Sequence, residues 1–375
     1  MVLEQPEEIP AVHRKGKVMS MGAYLLLEDG SVYAGQARGA FRETICEIVF
    51  NTAMAGYVEA LTDPSCAGLG IVMTYPIVGN YGVCREDFES ERLWPAAFLV
   101  HELCNSHSNF RSGGSLEELL REYEIPCLSD LDTRSIVKKI REKGAMRGLL
   151  TEDITNKERC LEAIASYRQH RPVESVSVGE IVTHGTENTG PSIALLDLGT
   201  KYGIAKALLS RGCSVTQYPY NTPAAQILAG GHDGLLLSSG PGDPRDCPEI
   251  VEEVKALYAA CLPTVGIGLG HQLLALAAGC TVERMNCGHR GSYPVKSLEE
   301  DRTYFADQNH GYVVTLESLP EQVSINWINV NDGTVEGLVY AGKPMFSLQF
   351  HPEASPGPED TGFLFGRYLD MIAHG

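Results

Sequence analysis

The residue types best suited to chemistry lie in two short segments that are far apart in the chain. The first, residues 263–272, reads Pro-Thr-Val-Gly-Ile-Gly-Leu-Gly-His-Gln and places Gly266 and Gly270 on either side of Gly268. An apolar run typical of a buried strand ends at the central position, Gly268, and a helix-like stretch begins after it. This is the spacing of a nucleophile elbow, the sharp strand-to-helix turn that lifts one side chain above a sheet. The central position should hold Cys or Ser, so Gly268 marks a missing nucleophile.

The second segment is His351-Pro352-Glu353, which follows an apolar run ending at Leu348. A lone histidine at the end of a strand is most often a packing or surface residue. Here a carboxylate two residues later could hold the imidazole in one tautomer, with His351 as general base and Glu353 as the group that orients it. The spacing alone leaves both interpretations open.

Two further polar segments are candidates for ligand binding. Residues 238–244, Ser-Ser-Gly-Pro-Gly-Asp-Pro, form either an ordinary turn or a ring of N–H donors at the carboxyl edge of a sheet. Because proline has no N–H, Gly240 and Gly242 would be the donors, joined by the Leu269 N–H in holding an oxyanion. Residues 308–312, Gln-Asn-His-Gly-Tyr, are predicted as a polar turn between strands, which is either a plain hairpin or a site for an α-amino acid.

The surrounding pattern predicts the elements that position these segments. From Ser192 onward, apolar strand-like runs alternate with helix-like runs, which predicts an open, mainly parallel α/β sheet with right-handed crossovers. Beyond Gly288 the pattern predicts shorter strands and hairpins. The earlier block opens with a hairpin around Gly30 and contains predicted helices at 115–123 and 133–143, so we expect a separate N-terminal α/β domain.

These patterns divide the chain into four parts. Residues 1–20 are polar and are predicted to be a disordered tail, and residues 21–168 form the N-terminal domain. Residues 169–191 are predicted to be a polar linker, with a short strand possible near 177–182. Residues 192–375 form the C-terminal domain.

Composition excludes several classes of function. At 375 residues with 43% hydrophobic content, the chain can build two cores, and its net charge of −18 disfavours nucleic acid as a partner. No apolar run reaches the roughly 18 residues that a membrane span needs. Eleven cysteines without a CxxC pair indicate reduced thiols in the cytoplasm. Cys280, Cys287 and His289 fit no familiar zinc spacing, so we expect no metal site. The glycines match no nucleotide-binding fingerprint, so we expect no ATP site in this chain.

The elbow, the 240–244 loop and the His351-Pro352-Glu353 segment, in this order, resemble class I glutamine amidotransferases. Segments of the N-terminal block narrow the resemblance to the small-subunit family of carbamoyl phosphate synthases. The segments that carry it are Phe-Asn-Thr-Ala-Met-Ala-Gly-Tyr at 50–57, Leu-Thr-Asp-Pro-Ser at 61–65, Thr-Tyr-Pro-Ile-Val-Gly-Asn at 74–80, Ser-Asn-Phe-Arg at 108–111, Asp-Thr-Arg at 132–134 and His-Pro-Glu-Ala-Ser-Pro-Gly-Pro at 351–358.

The resemblance implies a Cys–His–Glu triad that hydrolyses glutamine to glutamate and ammonia, with Gly268 at the cysteine position and His351 and Glu353 as its partners. Where the family often has serine, this chain has Ala53, so one hydroxyl contact is lost. The glutamine-binding positions implied by the motifs are Ala53, Gly240, Gly242, Leu269, Gln272, Asn309, Gly311 and Tyr312.

The resemblance also implies a heterodimer with a large synthetase subunit. That subunit would carry the ATP and magnesium sites and make carbamoyl phosphate from bicarbonate, ATP and ammonia, for arginine and pyrimidine synthesis. L-glutamine would be the ligand of this chain, no cofactor is expected in it, and the cytoplasm is its expected location.

Gly268 leaves more than one explanation open. It is either an engineered or erroneous substitution in an ordinary glutaminase subunit, or a natural loss in a subunit of an ammonia-dependent synthetase. The main alternative function is a non-catalytic subunit that binds glutamine or serves as a scaffold. A free-standing hydrolase of another amide is a weaker alternative.

Overall fold

A computed structural model describes residues 22–168 and 171–374 of the chain. The predicted tail, residues 1–20, lies outside the described residues. The first part of the described chain forms a closed barrel with flanking helices, and the second forms a ten-stranded sheet with helices on both faces. This architecture confirms the predicted fold class, an N-terminal α/β domain followed by a domain with a mainly parallel open sheet.

Between residues 22 and 168, the structure contains nine strands and four α-helices. The strands are β1 (Gly22–Leu27), β2 (Val32–Gly39), β3 (Thr44–Asn51), β4 (Leu69–Met73), β5 (Ile77–Val78), β6 (Ala97–Leu99), β7 (Glu102–Leu103), β8 (Pro126–Ser129) and β9 (Met146–Thr151). The helices are α1 (Tyr57–Thr62), α2 (Leu116–Glu122), α3 (Thr133–Lys143) and α4 (Lys157–Ser166). Seven strands close the barrel in the order β1-β2-β8-β6-β4-β3-β9, while β5 and β7 pair separately.

Local signals in this part act as the sequence predicts. The hairpin of β1 and β2 turns at Gly30, whose φ is +83°. Helix α3 begins at Thr133 because the Asp132 side chain accepts a hydrogen bond from the Ser135 N–H, and it ends before Gly144. Barrel closure itself depends on pairing between strands that are distant in sequence, such as β2 with β8.

The C-terminal part follows a short helix, α5 (Pro172–Val176). Its strands are β10 (Val182–His184), β11 (Ser192–Asp197), β12 (Ser214–Pro219), β13 (Gly234–Leu237), β14 (Thr264–Ile267), β15 (Val282–Ser297), β16 (Arg302–Val314), β17 (Val323–Asn329), β18 (Val335–Tyr340) and β19 (Met345–Leu348). Its helices are α6 (Tyr202–Leu209), α7 (Ala224–Ala229), α8 (Pro248–Ala260), α9 (Leu269–Ala277) and α10 (Leu364–His374). The strand order is β10-β12-β11-β13-β14-β19-β18-β17-β15-β16.

The central strands of this sheet are apolar on both faces because helices cover both. In β11, Ile193 and Leu195 enter one buried cluster, while Ala194 and Leu196 enter the other. Strands β12, β11, β13, β14 and β19 run parallel, so their carboxyl ends meet at one edge. The elbow at Gly268 lies at that edge, which is where open α/β sheets bind ligands.

Three local predictions differ from the structure. Beyond Gly288, β17, β18 and β19 are short as predicted, with 7, 6 and 4 residues, but β15 and β16 are long, with 16 and 13 residues. Residues 308–312 lie inside β16 and are not a turn, because their polar side chains face a cavity and buried partners instead of solvent. Within the predicted linker, the strand is β10 at 182–184, not 177–182, and it pairs with β12 as part of the sheet.

None of the helices in residues 22–168 and 171–374 has the length and apolar character required to cross a bilayer.

Candidate active site

A cavity of about 240 Å³ lies between the barrel and the carboxyl edge of the C-terminal sheet. Nine of the residues predicted from the sequence line it, drawn from four separate segments of the chain. They are Gly240, Gly242, Gly268, Leu269, Gln272, Asn309, Gly311, Tyr312 and His351. The structure therefore brings the elbow, the glycine-rich loop, strand β16 and the histidine segment to one place.

The elbow has the backbone shape of a nucleophile turn although its side chain is missing. Strand β14 ends at Ile267 and α9 begins at Leu269, leaving Gly268 between them with φ 56° and ψ −112°. A Cβ atom at Gly268 would lie 3.2 Å from Ser239 Cβ, a tight approach that a shift of a few tenths of an ångström would relieve. At Gly266, by contrast, a Cβ atom would lie 2.7 Å from the Gly270 carbonyl oxygen, so the turn excludes any side chain.

Opposite the elbow, a buried network holds the imidazole of His351. The Nδ1–H of His351 donates to Glu353 Oε1 over 2.6 Å, which leaves Nε2 as the nitrogen able to take a proton. Lys201 Nζ lies 3.2 Å from the same carboxylate oxygen and donates to the Ala354 carbonyl oxygen. All three ionisable side chains are at most 1% exposed.

The electrostatics of this network favour a charged pair. Burial opposes a charged imidazole, but the Glu353 carboxylate outweighs it and raises the pKa of His351 above its usual range. Burial alone would raise the pKa of Glu353. The Lys201 ammonium and the His351 imidazole outweigh burial and lower this pKa to about 2. Glu353 itself does not line the cavity, so its place behind His351 is that of an orienting group.

Backbone donors for an oxyanion lie next to the elbow. Leu269 is the first residue of α9, so its N–H has no partner within the helix and is free to point at a ligand. The loop after β13 brings Gly240 into the same cavity wall. A Cβ atom at Gly240 would lie 2.1 Å from the Leu198 carbonyl oxygen, so only glycine allows this close approach.

Strand β16 forms the third wall. Gln272 Nε2 donates to the Tyr312 carbonyl oxygen and to Gln349 Oε1, so this amide ties α9 to β16. Asn309 Nδ2 donates to Asp63 Oδ2 over 2.6 Å, which joins the strand to the N-terminal part. These two predicted glutamine contacts therefore also hold the cavity walls together.

The sequence reasoning missed Ser65 and selected Ala53 instead. Ser65 lines the cavity, and its hydroxyl is buried with no protein partner. It reaches the cavity because Asp63 accepts a hydrogen bond from the Ser65 N–H and starts a single helical turn. Ala53 is not among the residues that line the cavity, and its backbone nitrogen lies close to Gly291 in the neighbouring strand. The sequence Asp-Pro-Ser, which ends at Ser65, is typical of a capped turn and was the signal that could have identified Ser65.

Comparison with known proteins shows the family of both parts. Residues 25–150 match the model of the carbamoyl-phosphate synthase small chain, CPSase domain, and residues 194–371 match that of glutamine amidotransferase class-I. The chain belongs to the carbamoyl phosphate synthase small-chain family. Among its curated relatives, the small chain of Bacillus caldolyticus is 44% identical over 355 residues, 94% of this chain and 97% of that protein.

Other members of the small-chain family are similarly close. The small chain of Caldanaerobacter subterraneus subsp. tengcongensis is 43% identical over 94% of this chain and 97% of its own length. The pyrimidine-specific small chain of Bacillus subtilis is 42% identical over 93% and 95%. Among solved structures, a glutamine amidotransferase from Thermotoga maritima covers 49% of this chain and 84% of its own, with a TM-score of 0.37 and 18% identity.

Proposed function

We propose that this small chain binds glutamine in the cavity beneath the elbow and that Gly268 has removed its glutaminase activity. The observation that carries the proposal is the cavity itself, in which the elbow backbone, the His351–Glu353 pair and the N–H of Leu269 surround an absent side chain. Every supporting group for thiol chemistry is present except the thiol.

The missing step is the formation of a covalent bond. With cysteine at position 268, the thiolate would attack the side-chain amide carbon of glutamine after His351 Nε2 removed the thiol proton. The Leu269 and Gly240 N–H groups would hold the oxyanion, and His351 would return the proton to the departing ammonia. Glycine cannot make the thioester, and loss of the nucleophile in a comparable protease costs about 10⁶-fold in kcat.

The partner in this proposal is a large synthetase subunit that carries the ATP and magnesium sites. The family of the chain supports it, because a small chain is one component of a two-chain enzyme. With Gly268, that complex would make carbamoyl phosphate from free ammonia and would gain nothing from glutamine.

The test is glutamine hydrolysis by the purified complex of this chain with the large subunit. We expect no glutamate above background for the parent chain and for Gly268→Ala, and rapid release for Gly268→Cys. The alanine variant is the matched control because it introduces a Cβ atom without a nucleophile. Equal rates for all three chains would contradict the role assigned to position 268.

A second function is favoured by the retained His351–Glu353–Lys201 network, namely a non-catalytic subunit that senses glutamine. Calorimetric titration separates this sensor from a scaffold that does not bind glutamine. Binding of glutamine by the parent chain without turnover supports the sensor, and absence of binding points to a scaffold alone. A free-standing amide hydrolase is disfavoured because the family match extends through the N-terminal part, and purification with a large ATP-binding chain would argue further against it.

A further inference from the structure

The wall of the cavity contains a buried arginine whose charge no protein group balances. Arg290 lies on β15 and lines the cavity, and only 6% of its surface is exposed. Its Nε atom is buried without a hydrogen-bond partner, and no carboxylate in residues 22–168 and 171–374 forms an ion pair with its guanidinium. Burial accordingly lowers the pKa of Arg290. Because buried charges in proteins are normally paired, this guanidinium indicates a ligand that supplies an anion.

Strand pairing places Arg290 beside two predicted or observed polar groups of the cavity. Arg290 is directly paired with Asn309 across β15 and β16, so the two side chains emerge on the same face of the sheet. The Asn309 amide donates to Cys66 Sγ over 3.2 Å, and the charge of Arg290 opposes the effect of burial on the pKa of that thiol. Cys66 follows Ser65, whose buried hydroxyl also lacks a protein partner. The guanidinium, the amide and the hydroxyl therefore belong to one part of the wall.

Two glycines leave room around the guanidinium. A Cβ atom at Gly288 would lie 2.7 Å from Arg290 Nη1, and a Cβ atom at Gly311 would lie 3.5 Å from Nη2. Gly288 and Gly311 both line the cavity, so the two Nη atoms lie beside its surface. A planar guanidinium can bind both oxygens of a carboxylate through parallel hydrogen bonds. A carboxylate is therefore the anion that this group fits best.

The other two arginines of the lining differ from Arg290 because they are exposed and have protein partners. Arg284 Nη2 lies 2.6 Å from Glu47 Oε2. Arg168 Nη1 donates to the carbonyl oxygens of Ala165 and Tyr167, over 2.9 and 2.8 Å. Both arginine side chains face solvent as well as the cavity. Among the three, Arg290 alone is both buried and unpaired.

We propose that Arg290 binds the α-carboxylate of glutamine and so makes the cavity specific for an amino acid whose α-carboxylate is free. The inference rests on the proposed function, because it assigns a partner to one group of the same ligand. Arg290 is a specificity-determining residue in this assignment and takes no part in breaking the amide bond. The Ser65 hydroxyl, which lies in the same part of the wall, is placed to donate a further hydrogen bond to the carboxylate.

The test is calorimetric titration of the full chain with L-glutamine and with L-glutaminamide, in which a neutral amide replaces the α-carboxylate. We expect the parent to bind L-glutamine roughly 10- to 150-fold more tightly, the range for a hydrogen bond to a charged group. In Arg290→Gln this preference should disappear, because the affinity for L-glutamine falls while that for L-glutaminamide stays near the parent value. Arg290→Lys keeps the charge but loses the paired geometry, so it should lower the preference by about 2- to 10-fold.

Arg168→Gln is the matched control, since it removes the same charge from the same lining. Its side chain is exposed, so solvent and salt screen its charge, and we expect the preference to stay within about 3-fold of the parent value. A merely structural role for Arg290 predicts that Arg290→Gln weakens the binding of both ligands equally. That result, or an unchanged preference in Arg290→Gln, would overturn the inference while leaving glutamine binding intact.

Two further outcomes separate this inference from the proposed function. If neither the parent nor Gly268→Cys takes up L-glutamine, the proposed function is wrong and the role of Arg290 is overturned with it. Should Arg290→Gln not fold, Arg290→Lys decides. In that case, an undiminished preference for L-glutamine in Arg290→Lys overturns the assignment of Arg290 alone.

Discussion

The cavity wall that carries His351 is a complete set of buried charged groups, whereas the wall that carries Gly268 is backbone alone. Buried ion pairs such as Lys201–Glu353 contribute little net stability, and apolar replacements are often neutral or stabilising. A non-glycine residue at position 268 would be strained by its positive φ. Removing one partner of a buried pair is nevertheless strongly destabilising, because it leaves the other charge buried without compensation. Single substitutions are therefore costly in the charged wall, whereas glycine at position 268 avoids strain in the other wall.

The contrast between the two walls would be wrong if the charged wall had no effect on glutamine hydrolysis once a thiol is present at position 268. In the Gly268→Cys chain, we expect His351→Asn to lower kcat for glutamine hydrolysis by about 10⁴- to 10⁶-fold, the range for losing one member of a nucleophile–base pair. In the Gly268 parent, the same change should leave the background rate unchanged because there is no thiol to deprotonate. Glutamate release by the four chains measures this, and an equal loss in both backgrounds would contradict the pairing.

The second prediction concerns the stability of the charged wall. Glu353→Gln leaves the Lys201 ammonium buried without its carboxylate, so we expect a loss of about 3–5 kcal/mol in the free energy of unfolding. Glu299→Gln, which breaks an exposed ion pair with Arg367, is the control and should have a much smaller effect. Denaturant unfolding of the three chains measures the difference, and equal effects would show that burial of the network is unimportant.

The parent chain and Glu353→Gln should also differ in how their stability depends on pH. The pKa of Glu353 is about 2 in the folded chain and 4.5 for an ordinary glutamate. A lowered pKa stabilises the fold above the ordinary value, and this contribution is lost as pH falls from 4.5 towards 2. We therefore expect the stability advantage of the parent over Glu353→Gln to shrink in that acidic interval, and to shrink also as pH rises from 6.5 through the raised pKa of His351, whose charged form the carboxylate stabilises. An advantage that grows in the acidic interval would contradict the assignment.

The sequence predicts best where one local pattern is sufficient. The apolar strand before the elbow, the helix at 133–143 and the Gly266–Gly270 spacing each have local physical causes, and the structure contains the corresponding strand, helix and turn. Residues 308–312 were misassigned because their polarity is typical of turns, although these residues lie in a strand beside the cavity. Ser65 and Lys201 were missed because contacts between distant segments bring them to the site.

A further prediction concerns the loss of stability when a side chain is introduced at position 268. Because φ at position 268 is +56°, we expect both Gly268→Cys and Gly268→Ala to lose about 1–3 kcal/mol of stability. Gly366→Ala lies in α10 with open space around its Cβ position, so it should gain about 0.5–1 kcal/mol instead. Thermal or denaturant unfolding compares them. If Gly268→Cys proved as stable as the parent, strain would not explain why glycine is tolerated at the elbow.

The smallest expected effect concerns the serine hydroxyl that contacts glutamine. It distinguishes Ser65 from position 53, where the family often has serine. The buried Ser65 hydroxyl lines the cavity without a protein partner, so Ser65→Ala should remove one hydrogen bond to glutamine. A typical neutral bond contributes about 0.5–1.5 kcal/mol, which corresponds to a loss of roughly 2- to 10-fold in affinity. Ala53→Ser should change little, because Ala53 is not among the residues that line the cavity. Calorimetry on the parent background measures both without interference from turnover. If Ala53→Ser changed the affinity for glutamine more than Ser65→Ala did, glutamine would have to bind outside the cavity.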